Sequence, residues 1–146
     1  MKSVNIENRK SKFNYYFLES YIAGICLLGS EVKSIRDHRV SMVDSFCFFI
    51  GDELWIKNLN ITQSDQNSIH DPIRDRKILL KKRELKRLKN KLDEGLSIIP
   101  IRIFTSENNK IKIEISLSKG KKIYDKRESI RNRDIDREIS RNLNGI

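Results

Sequence analysis

Cysteine, histidine, glycine and proline are all scarce in this chain of 146 residues, and each scarcity removes a class of function. Cys26 and Cys47 are the only cysteines; they form no Cys-x-x-Cys and no histidine pair stands near them, which argues against a disulfide framework or a zinc site. Both lie in strand-like apolar stretches, where a buried, reduced thiol in a cytosolic protein is expected. The two histidines, His38 and His70, have no serine, cysteine or carboxylate spacing that would complete a triad. His70-Asp71 has the composition of an acid–base pair for RNA cleavage, but Pro72 favours a turn there, because the residue before proline is held extended. Gly120-Lys121-Lys122 lacks the spacing of a phosphate-binding loop and precedes no apolar helix. Apolar runs fall far short of a membrane span, and the first residues carry no apolar signal region. No enzyme, cofactor, metal or membrane partner is therefore expected.

Positive charge is abundant. The formal net charge is +10, and residues 74–91 hold ten Lys or Arg against two acids, Asp75 and Glu84. Clustered cations of this kind read as a phosphate-backbone footprint, since each neutralised phosphate releases condensed counterions. Residues 119–146 carry nine Lys or Arg and five Asp or Glu, with too few apolar side chains to offset the entropy of ordering. Arg9, Lys10 and Lys12 make the opening stretch basic as well. Three parts are expected: a basic N-terminal arm over 1–12, a folded body over 13–118 and a basic tail over 119–146, disordered when free. Phe13, Tyr15, Tyr16 and Phe17 could stack on bases, although aromatics on a strand of a small domain more often pack in the core.

Within the body, Ile111, Ile113, Ile115 and Leu117 alternate with Lys112, Glu114 and Ser116, the period of a half-buried strand. Strands are predicted over 14–20, 22–28, 43–50, 54–59, 98–104 and 111–117, with Gly51-Asp52-Glu53 and residues 106–109 as hairpin turns. Pro100 points to an edge or strand-start position. A short helix is predicted over 31–37, where Glu31 suits the positive end of the dipole, and a longer one over 81–94, with Leu85, Leu88 and Leu92 on one face and Gly95 at its end. Residues 60–76 read as a long loop containing Pro72. Lys81, Lys82 and Arg83 stand at the positive end of the longer helix, unfavourably for the fold, which points to a partner. The fold class is mainly β: an OB-like closed barrel of about six antiparallel strands with two to three flanking helices.

Several blocks, in order, resemble the SsrA-binding protein family, also called small protein B. They are Asn8-Arg9-Lys10; Ala23-Gly24-Ile25, Leu27 and Gly29-Ser30-Glu31-Val32-Lys33-Ser34-Ile35-Arg36; Asp71-Pro72, Arg74 and Arg76-Lys77-Ile78-Leu79-Leu80; Lys82-Arg83-Glu84; and Gly120-Lys121-Lys122 with Tyr124-Asp125-Lys126-Arg127. The resemblance implies an OB-like barrel and a cytoplasmic, monomeric, non-enzymatic adaptor. Such a protein binds the tRNA-like end of transfer-messenger RNA and delivers it to a ribosome stalled without a stop codon, its tail entering the empty messenger channel as a helix. It implies RNA-holding roles for Asn8, Leu79, Lys112 and Gly120, with Arg9, Lys10, Lys121 and Lys122 beside them, and a ribosomal role for Asp125, Lys126 and Arg127. The misplaced helix charge adds Lys81, Lys82 and Arg83 to the RNA-binding set. One position departs from the family, which usually has Glu before Ala-Gly; here it is Ile22, and Glu19 is a candidate replacement. In the tail, Ile135, Ile139 and Leu143 fall at helical spacing, too short a helix to be stable alone. A general single-strand-binding OB protein is the alternative reading. It would interleave basic and aromatic residues across the sheet rather than place charge on a helix start and two ends.

Overall fold

Isoleucine at alternate positions builds the body. In this computed structural model, which describes residues 3–64, 69–92, 94–122, 126–128 and 130–131, strand β9 (Ile111–Gly120) buries Ile113, Ile115 and Leu117 on one face. It pairs antiparallel with β8 (Ser97–Thr105) on one side and β2 (Tyr15–Ile25) on the other. Strand β2 continues to β7 (Arg76–Leu79), β7 to β5 (Glu53–Lys57), and β5 to β4 (Phe46–Ile50) through the two-residue turn Gly51-Asp52, where Gly51 has φ +61°. Cys47 on β4 then stands opposite Ile98 on β8, so six antiparallel strands pair in a ring. Ile56, Ile78, Ile98, Ile103, Ile113 and Leu54 fill its interior.

The first described strand, β1 (Asn5–Glu7), adds to the outer edge of β8, and a short helix α1 (Arg9–Asn14) follows it. Residues 5–14 are thus docked on the body rather than standing away as an arm; Val4 is buried in the core and Ile6 packs against it, an apolar content that the neighbouring basic residues mask in the sequence. The two strands expected over 14–28 are one, with a register shift between Phe17 and Glu19. Gly24 does not interrupt it: a Cβ there would stand 3.2 Å from the Cβ of Leu79, so glycine lets β7 approach closely. Pro100 lies inside β8, not at its start, beside a register shift between Pro100 and Arg102. Asn8 takes up both carbonyls at that irregularity, its backbone N–H donating to Ile101 O at 2.8 Å and its Nδ2 to Pro100 O at 2.9 Å.

Helix α2 (Gly29–Arg36) matches expectation, and Glu31 Oε1 accepts the Leu28 backbone N–H at 2.8 Å. Among the described residues the stretch expected as a long loop, 60–76, begins with one strand and ends on the first residue of another. One is the end of a small pair, β3 (Val40–Ser41) with β6 (Asn60–Ile61); the other is β7, whose Ile78 the charge block conceals in the sequence. Helix α3 (Lys82–Leu92) buries Leu88 and half-buries Leu85 and Leu92, and Gly95 at φ +78° donates its N–H to Leu92 O. Cys47 is buried as expected, and burial pushes its thiol pKa up; Cys26 is exposed, contrary to expectation, at the end of β2 where the chain leaves the sheet. Of the stretch expected as a tail, Lys119 and Gly120 end β9, 126–128 and 130–131 are helical, and 123–125, 129 and 132–146, with Asp125 and the Ile135–Ile139–Leu143 pattern, lie outside the described residues.

Candidate nucleic-acid interface

The ten cations of 74–91 are not equivalent once folded. Six have carboxylate partners: Arg74 and Arg76 on Glu31, Lys77 on Glu53, Arg87 on Glu19, Lys89 on Asp52 and Lys91 on Glu94. Among the described residues Lys81, Lys82, Arg83 and Lys86 pair with no acid, and all four are exposed. Lys82 and Lys86 are one helical turn apart, as are Arg83 and Lys86, so these like charges repel by roughly 0.2–0.5 kcal/mol per pair. The one acid in the first turn, Glu84, accepts the Lys81 backbone N–H at 3.1 Å instead.

Two of the paired cations fasten α3 to the ring. Arg87 donates Nη2 to Glu19 Oε1 at 2.6 Å and Nε to Oε2 at 3.1 Å, while Tyr21 donates its hydroxyl to the same carboxylate. Hydrogen bonds from Arg87, then Tyr21, lower the Glu19 pKa to about 2. Lys89 reaches Gly51 O and Asp52 on the β4–β5 turn. Sequence alone offered Glu19 as a stand-in for the family acid; the structure commits it to Arg87. The cross-strand neighbour of Ile22 is Glu114, which accepts from Arg102 Nε at 2.8 Å.

The other predicted positions gather at two places. Gly24 pairs with Leu79 on one side and Lys112 on the other, so the three form a row across β7, β2 and β9 on the outer face. Leu79 is 49% exposed there, directly before α3, and Ile22 is 51% exposed on the same face of β2. The second place joins the two ends of the body. Tyr15 pairs with Gly120, the Lys121 N–H bonds Asn14 O at 2.8 Å, and Lys121 Nζ lies 4.9 Å from the Tyr16 ring centre. Asn8, Lys10, Tyr15, Gly120, Lys121 and Lys126 line a cleft of about 630 Å³ there, with Phe46 and Phe48 on its wall. Asn8 itself is buried and serves the β8 irregularity; Arg9, Lys122 and Arg127 are exposed. Of the four aromatics, Tyr16 is exposed and Phe13, Tyr15 and Phe17 are half-buried; none reaches the core.

The His70-Asp71 signal resolves as structure. His70 is buried, its Nε2–H donating to Ile61 O at 2.7 Å and its Nδ1 accepting from Ser30 Oγ at 2.9 Å. Next to it, fully buried Glu31 receives Arg74, Arg76 and the Leu28 N–H. Burial alone would raise the Glu31 pKa, but these hydrogen bonds outweigh it and hold the carboxyl below its usual range. The guanidinium of fully buried Arg76 also donates to Leu59 O and Pro72 O, which pins residues 71–74 to α2.

A family model described as SmpB protein matches residues 5–145 of this chain. The chain belongs to the SmpB, or SsrA-binding protein, family. The SsrA-binding protein of Cytophaga hutchinsonii is 51% identical over 144 residues, covering 97% of this chain and 94% of its own length. That of Christiangramia forsetii is 44% identical over 142 residues, covering 95% and 90%. A chain of the solved structure "tmRNA-SmpB: a journey to the center of the bacterial ribosome" superposes with a TM-score of 0.71 at 38% identity, covering 90% of this chain and 96% of that one. Lys86 lies in none of the blocks that carry the resemblance. It was legible in the sequence only as the residue one turn beyond Lys82 on the face opposite Leu88.

Proposed function

We propose that this SmpB-family protein is a non-enzymatic RNA-binding adaptor of the cytoplasm that binds the tRNA-like part of transfer-messenger RNA and delivers it to stalled ribosomes for trans-translation. The observation that carries this reading, beside the family match, is the sorting of charge: six of the ten cations of 74–91 have acids, while Lys81 just before α3 and Lys82, Arg83 and Lys86 on it have none among the described residues. Leu79 and Lys112, flanking Gly24, supply a second part of the RNA surface next to the start of α3. Asn8, Arg9, Lys10, Gly120, Lys121 and Lys122 supply a third around the cleft; Asn8 acts by shaping the backbone there.

The ring of six strands is an OB-like closed barrel in this reading, and residues 119–146 act as a tail with its own task. Asp125, Lys126 and Arg127 begin the part that faces the ribosome, and the tail becomes helical inside an RNA-walled channel. The protein acts as a monomer. The test is a titration at physiological salt against the cognate transfer-messenger RNA and an ordinary tRNA, with the full chain and with a chain ending at 129. Both chains should prefer transfer-messenger RNA, and only the full chain should support tagging of stalled products. Equal binding to both RNAs, or loss of RNA affinity on truncation as large as the loss of tagging, refutes the reading.

A further inference from the structure

Where β9 ends, the chain is tied to its own first helix. Helix α1 has six residues, so the carbonyls of Lys12 and Asn14 in its last turn have no residue four places on within the helix to bond them. Lys121 supplies both missing donors from 109 residues beyond Lys12: its backbone N–H bonds Asn14 O at 2.8 Å and its Nζ bonds Lys12 O at 3.2 Å. The same ammonium lies 4.9 Å from the centre of the Tyr16 ring, and Tyr16 is 43% exposed and held in β2 opposite Lys119. Three contacts thus close on one residue from a single surface, the end of α1 and the start of β2. A helical turn opens directly after it. The Lys126 N–H bonds Lys122 O at 3.1 Å, the i to i+4 spacing of an α-helix, and residues 126–128 and 130–131 are helical. Lys126 also lines the 630 Å³ cleft together with Lys10, Ser11 and Asn14 of α1. The direction in which the tail leaves the body is therefore set at Lys121.

We propose that the end of α1 and Tyr16 form the seat from which the tail is aimed, with Lys121 as its latch and Tyr16 as a positioning residue for the delivery step. This rests on the reading above for the tail's task, and it gives a role to an exposed tyrosine that lies outside the core. The physical basis is preorganisation: a tail that leaves the body in one direction has less orientational freedom to lose when it meets its site. It also gives the docked N-terminal segment a reason to lie where it does, since the carbonyls that α1 leaves open are the ones that hold the start of the tail.

The test compares the full chain with Tyr16→Phe, which keeps the ring face, and Tyr16→Leu, which keeps apolar bulk without it. For the geometry, each also carries Arg131→Cys; with exposed Cys26 this gives two sites for spin labels, while Cys47 is buried and stays unlabelled. Pulsed EPR between positions 26 and 131 should give one narrow distance distribution with Tyr or Phe at position 16 and a broad one with Leu. Without Arg131→Cys, Tyr16→Leu should tag stalled products about threefold more slowly than wild type, Tyr16→Phe should restore the rate, and the affinity of both for transfer-messenger RNA should match wild type. Equal widths for Leu and Phe in proteins folded by circular dichroism overturn the seat, as does broadening with tagging undiminished. So does an RNA affinity of Tyr16→Leu that falls by the same factor as its tagging, which makes Tyr16 an RNA contact. Broadening in Tyr16→Leu beside a wild type that does not prefer transfer-messenger RNA over tRNA supports the seat and defeats the adaptor reading, which separates the two failures.

Discussion

Replacing Glu31 with Gln should unfasten residues 71–76 from α2 and destabilise the whole domain. Glu31 is fully buried and accepts from Arg74, Arg76 and the Leu28 N–H; Arg76 is fully buried too, and its other donors end on the carbonyls of Leu59, Arg74, Asp71 and Pro72. A neutral amide keeps the shape but leaves a buried guanidinium without its counter-charge, a defect that costs about 3–5 kcal/mol. Because the amide oxygen still accepts one bond, about 3 kcal/mol is expected, or roughly a 10 °C fall in Tm for a chain of this size. Urea denaturation followed by circular dichroism measures it. The pH dependence gives an independent check. The folded-state pKa of Glu31 lies below its ordinary value, so its contribution is present above the unfolded pKa of about 4.3 and is lost as pH falls through the folded value. The Gln variant should therefore show a flatter acid limb as well as a lower plateau. A loss under about 1 kcal/mol with an unchanged acid limb would refute the reasoning, since it would mean the pair's desolvation cost cancels its attraction.

Three further outcomes are expected. Gly24→Ala puts a Cβ 3.2 Å from Leu79, so Leu79 must give way; about 1 kcal/mol of stability should be lost and RNA affinity should drop with it, while an unaltered affinity would remove Leu79 from the surface. Arg87→Ala should raise the Glu19 carboxyl from about 2 toward the ordinary range near 4.3, short of it because the Tyr21 hydroxyl still bonds it, read by a carboxyl-carbon NMR titration, and an unmoved value would show that Arg87 does not hold it. His70→Ala removes the bonds to Ser30 and Ile61 and should cost about 1–3 kcal/mol in thermal or chemical denaturation, with RNA binding retained at permissive temperature. Lost RNA binding by a still-folded His70→Ala protein would return a functional role to that side chain.

The strand-forming half of the domain was readable because alternation survives folding unchanged. Ile113, Ile115 and Leu117 face the core in the structure for the same reason they alternate in the sequence. Helix α3 was readable by its leucine face and terminal glycine. The long strand β2 was misread as two because Ala23-Gly24 looks like punctuation until a neighbouring strand arrives to need the space. Strand β7 was hidden because Arg76 is buried, and no local pattern announces a buried arginine whose counter-charge lies 45 residues away. Cys26 was expected inside because its neighbours are apolar, yet it falls on the outward phase at the strand's end.

The sequence by itself determined the class of partner and the mainly β character, since these follow from composition, short-range periodicity and the blocks that carry the resemblance. Which cations remain for RNA could be decided only by the tertiary structure. Ten basic residues look alike along the chain, and apart from Glu94, three residues after Lys91, the acids that pair with them, Glu19, Glu31, Asp52 and Glu53, lie on other strands, turns and helices. An ion pair is a matter of a few ångströms in space, and that distance exists only after the ring has closed and α3 has been laid across it.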